Sequence, residues 1–372
     1  MIAACDLAPA HIKAIAAYQP GKPASELARE LSLDENSITK LASNENPLGA
    51  SPAAIKAIER VLNGIALYPD GGGHDFKSAL IKKYAIAREQ IVLGNGSNDV
   101  LELAARTFLT AQDSAVYAQH AFAVYPLVLQ AIGATKIEVA AKDYGHDLPA
   151  MAKAVRENTR VVFVANPNNP TGTFATSDKL LAFIEAVPAR VIIVLDEAYT
   201  EYLPPAVKVD TIAWLKRFPN LVITRTLSKA YGLAGLRIGF ALAHPDVADL
   251  INRVRQPFNV NSLALAAAEA ALNDDVFLAQ SAQLNTRGLA QLADGFERLG
   301  LPYIRSFGNF ISVDVGDGAV MFQFLLKQGV IVRPIAGYGM PRHLRVSVGL
   351  PQQNERFLAA LAEGLKQFAS DR

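Results

Sequence analysis

Seven short runs rich in Val and Ile recur through the middle of the chain. They are QIVLG (90–94), SAVYA (114–118), TKIEVA (135–140), RVVFVA (160–165), RVIIVLD (190–196), LVITRT (221–226) and RIGFALA (237–243). The apolar residues are continuous rather than alternating, which predicts strands covered on both faces. Helical patterns separate several of them, among them NDVLELAARTFL (98–109) and SDKLLAFIEAV (177–187). Strands alternating with helices predict the α/β class, with a mostly parallel, seven-stranded sheet.

The flanks read differently. SPAAIKAIERVLN offers Ser51 as N-cap and Pro52 at the first helical position. A long helical segment covers 275–299. NFISVDV and HLRVSVG then read as strands, and NERFLAALAEGLKQF as an amphipathic helix with Leu358, Leu361, Leu365 and Phe368 on one face. With 372 residues, about two domains are expected. The expected division is an arm with part of the small domain at 1–44, a large domain at 45–275, and a smaller α+β domain at 276–372.

Charge excludes some partners. Lys and Arg number 36 against 35 Asp and Glu, so nothing electrostatic points to nucleic acid or a membrane surface. No apolar run approaches the ~20 residues that span a bilayer. Cys5 is the only cysteine, and Asp6 stands where a signal peptide would be basic, so a reducing, cytoplasmic setting is expected. Six scattered histidines show no metal-ligand spacing, so no metal is expected; DYGHD (143–147) reads as a polar loop.

Four stretches at or just after predicted strands carry chemistry, and ligands of open α/β sheets bind beyond the carboxyl ends of strands. GNGSND (94–99) opens a helix whose free N–H groups suit a phosphate; a tight turn or half of a dinucleotide fingerprint are the other readings. ANPNNPTG (165–172) is a rigid turn with amides to aim. LDEAYTEY (195–202) ends an apolar run on Asp196, a carboxylate that needs a partner when buried, with Tyr199 three residues on. TRTLSKAYGLAGLRIG (224–239) sets Ser228 and Lys229 after a strand and Arg237 eight residues later. A lysine stripped of hydration loses its proton more readily and becomes a nucleophile toward carbonyls. A phosphate cradle, a buried carboxylate, an amide, a Tyr and a desolvated lysine together suit pyridoxal phosphate.

With these motifs the chain resembles the fold-type I pyridoxal-phosphate aminotransferases, and within them the histidinol-phosphate aminotransferases. NPNNPTG, LDEAY, TLSKAYGLAGLRIG and LRVSVG follow that family's order and spacing, and the resemblance covers nearly the whole chain. It implies that Lys229 bonds the cofactor aldehyde and then carries a proton. It implies that Asp196 pairs with the ring nitrogen, and that Asn169 and Tyr199 bond the phenolic oxygen. Ser97, Asn98, Thr226, Ser228 and Arg237 would hold the phosphate. Phe122 would stack on the ring; many members of the family have Tyr there, and Phe keeps the apolar face without the hydroxyl. Tyr68 would reach the cofactor of a neighbouring subunit, which implies a homodimer with shared sites.

For substrate, the resemblance points to Arg345 in LRVSVG, Arg333 in VIVRP, Tyr18 in AYQPGK, and Asn46 in SNENPLG, with Asn44 nearby. The expected reaction moves an amino group between histidinol phosphate and 2-oxoglutarate, yielding glutamate. An aromatic amino acid aminotransferase and a threonine-phosphate decarboxylase are the alternatives.

Overall fold

The structure, a computed structural model, describes residues 4–16, 21–32 and 34–370. All seven expected strands form, with bounds shifted by at most two residues. They are β1 (Ile91–Gly94), β2 (Ser114–Ala118), β3 (Thr135–Val139), β4 (Thr159–Ala165), β5 (Ile192–Asp196), β6 (Leu221–Thr226) and β7 (Gly239–Ala243). The sheet order is β1-β7-β6-β5-β4-β2-β3. Only β7 runs against its neighbours, pairing antiparallel with both β1 and β6. The remaining pairs are parallel.

Successive strand residues point to opposite faces, and here both faces are buried. Val162, Val164, Ile193 and Leu195 pack on one side; Val161, Phe163, Ile192 and Val194 pack on the other. Continuous apolar runs are thus the signature of a sheet enclosed by helices. Ser51 caps the helix Pro52–Val61, its Oγ accepting from the Ala54 N–H at 3.0 Å.

Beyond the long helix Asp275–Arg298 a second sheet forms from β8 (Tyr303–Ile304), β9 (Phe310–Asp314), β10 (Arg333–Pro334) and β11 (His343–Ser347). It is antiparallel, in the order β10-β11-β9-β8. Its core joins Leu292, Phe296, Val313, Leu344 and Phe357. Residues 24–32 and 34–42 belong with this core: Thr39 and Lys40 pair parallel with Val330 and Ile331, and Leu27 packs against Leu326 and Ile331. On the last helix, Pro351–Ser370, the buried stripe is centred on Phe357, Leu361 and Gly364. Leu358 and Leu365, expected on the same face, lie half-buried on its flank, because the helix packs chiefly on the helices Asp275–Arg298 and Gly318–Lys327, with Met321 and Phe324 against Gly364.

The topology concentrates chemistry at one edge. Asp196 and Thr226 are the last residues of β5 and β6. The helix Ser97–Phe108 starts just after β1. Since β7 is reversed, its first residue, Gly239, sits at the same edge, opposite Gly94 and Thr226. Arg237, just before it, is thereby brought to the ends of the parallel strands.

Candidate active site

A cavity of about 290 Å³ opens at this edge, between the two sheets. Twelve of the expected residues line it: Ser97, Asn98, Phe122, Asn169, Asp196, Tyr199, Thr226, Ser228, Lys229, Arg237, Arg333 and Arg345. They come from strands, a helix start and loops far apart in the chain, gathered by the ends of the strands.

One corner is built for an anion. The N–H groups of Ser97 and Asn98 are in the first turn of their helix and have no intrahelical acceptor. Arg237 faces them, its Nη1 donating to Ser228 Oγ at 3.2 Å and to the Ala234 carbonyl at 3.0 Å. Two glycines allow this closeness. Gly96 has φ of 82°, and a Cβ there would stand 2.4 Å from Arg237 Nη2; a Cβ on Gly239 would stand 2.5 Å from the Ser97 nitrogen. The glycines of the sequence motif therefore serve close approach.

At the cavity floor, Asp196 is buried. Its Oδ2 accepts from the Tyr125 hydroxyl at 2.8 Å and its Oδ1 from Thr224 Oγ1 at 3.2 Å. Loss of hydration pushes its carboxyl up to about 6, with the bonds from Tyr125 and Thr224 pulling the other way. Its neighbour Glu197 faces elsewhere, bound by Arg225 Nε and Nη2 at 3.0 and 2.8 Å.

Lys229 reaches in from the loop after β6, its Nζ donating to the Ser43 carbonyl at 3.1 Å. Desolvation, then the positive charge of Arg345, brings its amine down to about 7. An amine near neutrality is a nucleophile at physiological pH. Tyr199 accepts from Asn44 Nδ2 at 2.9 Å, and burial raises its phenol to about 12. The buried Arg345, also in the lining, donates through Nη1 to Asn169 Oδ1 at 2.5 Å and through Nη2 to the Ala42 carbonyl at 2.8 Å. Arg333 is its cross-strand partner.

An anion corner, a buried carboxylate and a neutral-poised lysine around a closed space fit the phosphate, ring nitrogen and aldehyde of pyridoxal phosphate. The chain also matches the family described as aminotransferase class I and II, over residues 36–361. The chain belongs to this family. The aminotransferase is 61% identical to histidinol-phosphate aminotransferase 2 of Nitrosospira multiformis, over 97% of this chain and 93% of that one. It is 60% identical to histidinol-phosphate aminotransferase 1 of Thiobacillus denitrificans, over 96% and 93%. Among solved structures, it matches the histidinol-phosphate aminotransferase from Sinorhizobium meliloti in complex with pyridoxal 5′-phosphate. There the TM-score is 0.87 at 27% identity, covering 96% of this chain and 97% of that one. Its fold is that of the fold-type I pyridoxal-phosphate aminotransferases.

Among the described residues, two expected ones are not in the cavity lining of the aminotransferase. Asn46, expected as a substrate contact, lies outside the lining and is engaged elsewhere. Its Nδ2 donates to the Ala230 carbonyl at 2.9 Å and Ser281 Oγ at 2.8 Å, and its Oδ1 accepts from the Leu48 N–H at 3.0 Å. It clamps the lysine loop to the long helix. Tyr68 is 84% exposed, stacked on Phe258 with ring centroids 4.9 Å apart, and away from this chain's own cavity. Tyr18 lies outside the described residues. Conversely, Tyr125 and Thr224 carry no mark of function in the sequence. Tyr125 reads as one more apolar residue of AFAVYPL, and Thr224 as an interior strand position.

Proposed function

We propose that this aminotransferase exchanges the amino group between L-histidinol phosphate and 2-oxoglutarate, with pyridoxal phosphate as cofactor, as a step of histidine biosynthesis. The observation that carries this reading is the cross-strand pair Arg333 and Arg345, both of which line the cavity. One arginine satisfies an amino acid carboxylate; two suit a phosphate monoester, which holds nearly two negative charges at neutral pH. The high identity to proteins named for histidinol phosphate supports the same substrate.

Bound in the cavity, pyridoxal phosphate supplies an electron sink for the pair released at the substrate Cα. On this reading each residue has a task. Ser97 and Asn98, through their N–H groups, with Thr226, Ser228 and Arg237, hold the phosphate. Asp196 keeps a proton on the ring nitrogen. Asn169 and the Tyr199 hydroxyl orient the phenolic oxygen, and Phe122 covers one face of the ring. Lys229 would hold the cofactor's aldehyde, and its amine, neutral near pH 7, would serve as the base that accepts the substrate Cα proton. Arg345 binds the carboxylate of glutamate or 2-oxoglutarate in one half-reaction, and joins Arg333 on the phosphate in the other. The exchange is therefore ping-pong.

The reading includes a cytoplasmic homodimer in which Tyr68 of the partner subunit reaches the cofactor phosphate. Exposed Ile65, Leu67, Tyr68 and Phe258 form an apolar surface that supports such a contact. The test is a panel of amino donors assayed with 2-oxoglutarate. Histidinol phosphate should exceed phenylalanine and tyrosine in kcat/KM by about tenfold or more, the worth of one added charged hydrogen bond. Parity among the three would overturn the assignment in favour of an aromatic aminotransferase.

A further inference from the structure

Tyr125 is a buried group that the chemistry above leaves unused. It occupies the second position of the helix Val124–Ile132 and is 1% exposed. Its ring stacks on Phe163 with centroids 4.7 Å apart and planes 11° from parallel. Phe122, which faces the cavity, meets it edge-on at 6.0 Å. Phe163 belongs to β4, the neighbour of β5, which ends in Asp196. A ring gripped in this way has no room to swing, so its oxygen is fixed in place. That oxygen donates to Asp196 Oδ2 at 2.8 Å.

We propose that Tyr125 is a positioning residue for the cofactor's ring-nitrogen site, aiming the Asp196 carboxylate and holding it as the anion despite its burial. This rests on the reading of Asp196 as the partner of the ring nitrogen. A carboxylate has about four lone-pair sites. Tyr125 and Thr224 take one each, the Ala198 N–H takes a third, and room remains for the ring N–H. The other groups near Asp196 do not replace Tyr125. Glu197 is committed to Arg225 and to Thr211, whose Oγ1 donates to it at 2.6 Å. Tyr199 is engaged with Asn44, and Lys229 with the Ser43 carbonyl. Arg345 is bound to Asn169 and the Ala42 carbonyl. Tyr125 also stays a donor at every working pH, because burial and then the charge of Asp196 drive its phenol well above the ordinary range. Burial alone would favour a neutral Asp196, which cannot stabilise a protonated ring nitrogen; the Tyr125 bond opposes this most strongly.

The test is Tyr125→Phe in the holoenzyme. The replacement keeps the ring and its stacking partner, and cofactor content read from visible absorbance verifies folding. The acid limb of the kcat profile should move to higher pH, because the carboxyl has lost a bond that stabilised its charged form. At neutral pH kcat should fall about tenfold, near the lower end expected for a hydrogen bond to a charged group, while KM for glutamate changes little. Without substrate, the pH at which the cofactor's visible absorption changes should rise, since a ring with less positive charge releases its nearby proton less readily. Combining Tyr125→Phe with Asp196→Asn should be no worse than Asp196→Asn alone, because both act through one carboxylate. An unmoved acid limb and an unmoved absorption transition would overturn the proposal, even if kcat fell. If Asp196→Asn itself kept full activity, the underlying assignment of Asp196 would fail instead.

Discussion

Arg333 and Arg345 stand directly opposite each other on β10 and β11 of the smaller sheet. Residues so paired project to the same face, and like charges opposed in this way are destabilising. Arg345 is further constrained by Asn169, by the Ala42 carbonyl and by Phe310, whose ring centre lies 5.4 Å from its guanidinium carbon. An anion between the two guanidinium groups would relieve the repulsion. Arg333→Leu should therefore lower kcat/KM for histidinol phosphate by about tenfold to a hundredfold, the value of one charged hydrogen bond of roughly 1.5–3 kcal/mol. Glutamate turnover should change much less. Arg345→Leu should impair both half-reactions. Steady-state kinetics with each donor decide the matter: equal losses for all donors in Arg333→Leu would mean that this arginine does not discriminate phosphate.

Lys229 sets a pH dependence of its own. Its amine falls from 10.5 to about 7. At pH 7 about half of it is neutral, against roughly one part in three thousand for an ordinary lysine. Covalent capture of pyridoxal phosphate by cofactor-free enzyme should accelerate through pH 7 and level off above about pH 8. A rise continuing past pH 9 in stopped-flow absorbance would show an unperturbed lysine. Stability follows the same sign. Between about 7 and 10.5 the folded chain binds fewer protons at Lys229 than the unfolded chain, so this contribution increases stability as pH rises. Lys229→Met should remove that part of the slope in denaturant titrations of the cofactor-free protein, and should abolish transamination.

Gly96 tests the anion corner. An alanine there needs φ of 82°, which an L side chain rarely adopts, and places its Cβ 2.4 Å from Arg237 Nη2. The guanidinium must move away from the first turn of Ser97–Phe108. Gly96→Ala should weaken cofactor binding by about tenfold or more, as expected for a lost charge-assisted bond, with the fold retained. Equilibrium dialysis gives the affinity; an unchanged value would show that Arg237 does not depend on this approach.

The sequence revealed the larger sheet because its strands are buried on both faces and so carry unbroken apolar runs between polar ends. Periodicity was silent where the exposed face of a helix is as apolar as the buried one. Ser262–Leu272, SLALAAAEAAL, is apolar on almost every side and shows no stripe. In the site, motif residues next to strand ends were legible, whereas contacts across the fold were not. Tyr125 is 71 positions from Asp196, and Asn44 is 155 from Tyr199. Asn44 and Asn46 illustrate the limit. They are two residues apart and identical in type, yet one lines the cavity and the other clamps Ala230 and Ser281. What separates them is backbone direction. Asn44 adopts φ of 55°, supported by Ser347, which its N–H and Oδ1 both contact and which lies 303 positions away.

Tyr68 provides the test of shared sites. Its ring is almost fully exposed, beside exposed Leu67 and Phe258, and it is absent from the lining of its own subunit's cavity. If Tyr68 of the partner subunit binds the cofactor phosphate, Tyr68→Phe should lower cofactor affinity, and Lys229→Ala should abolish turnover. Mixing the two variants then separates contributions within a chain from those across the dimer. In a mixed dimer, the site that retains Lys229 receives an intact Tyr68 from the other subunit, and the second site carries both defects. Random exchange of equal amounts makes about half of the dimers mixed, so about a quarter of all sites should recover parental affinity. Activity at limiting pyridoxal phosphate measures that fraction. If Tyr68 acted within its own chain, mixing would only dilute the Tyr68→Phe enzyme. Activity that merely averages the two variants, with subunit exchange verified by differential tagging, would rule out a site completed by the neighbouring subunit.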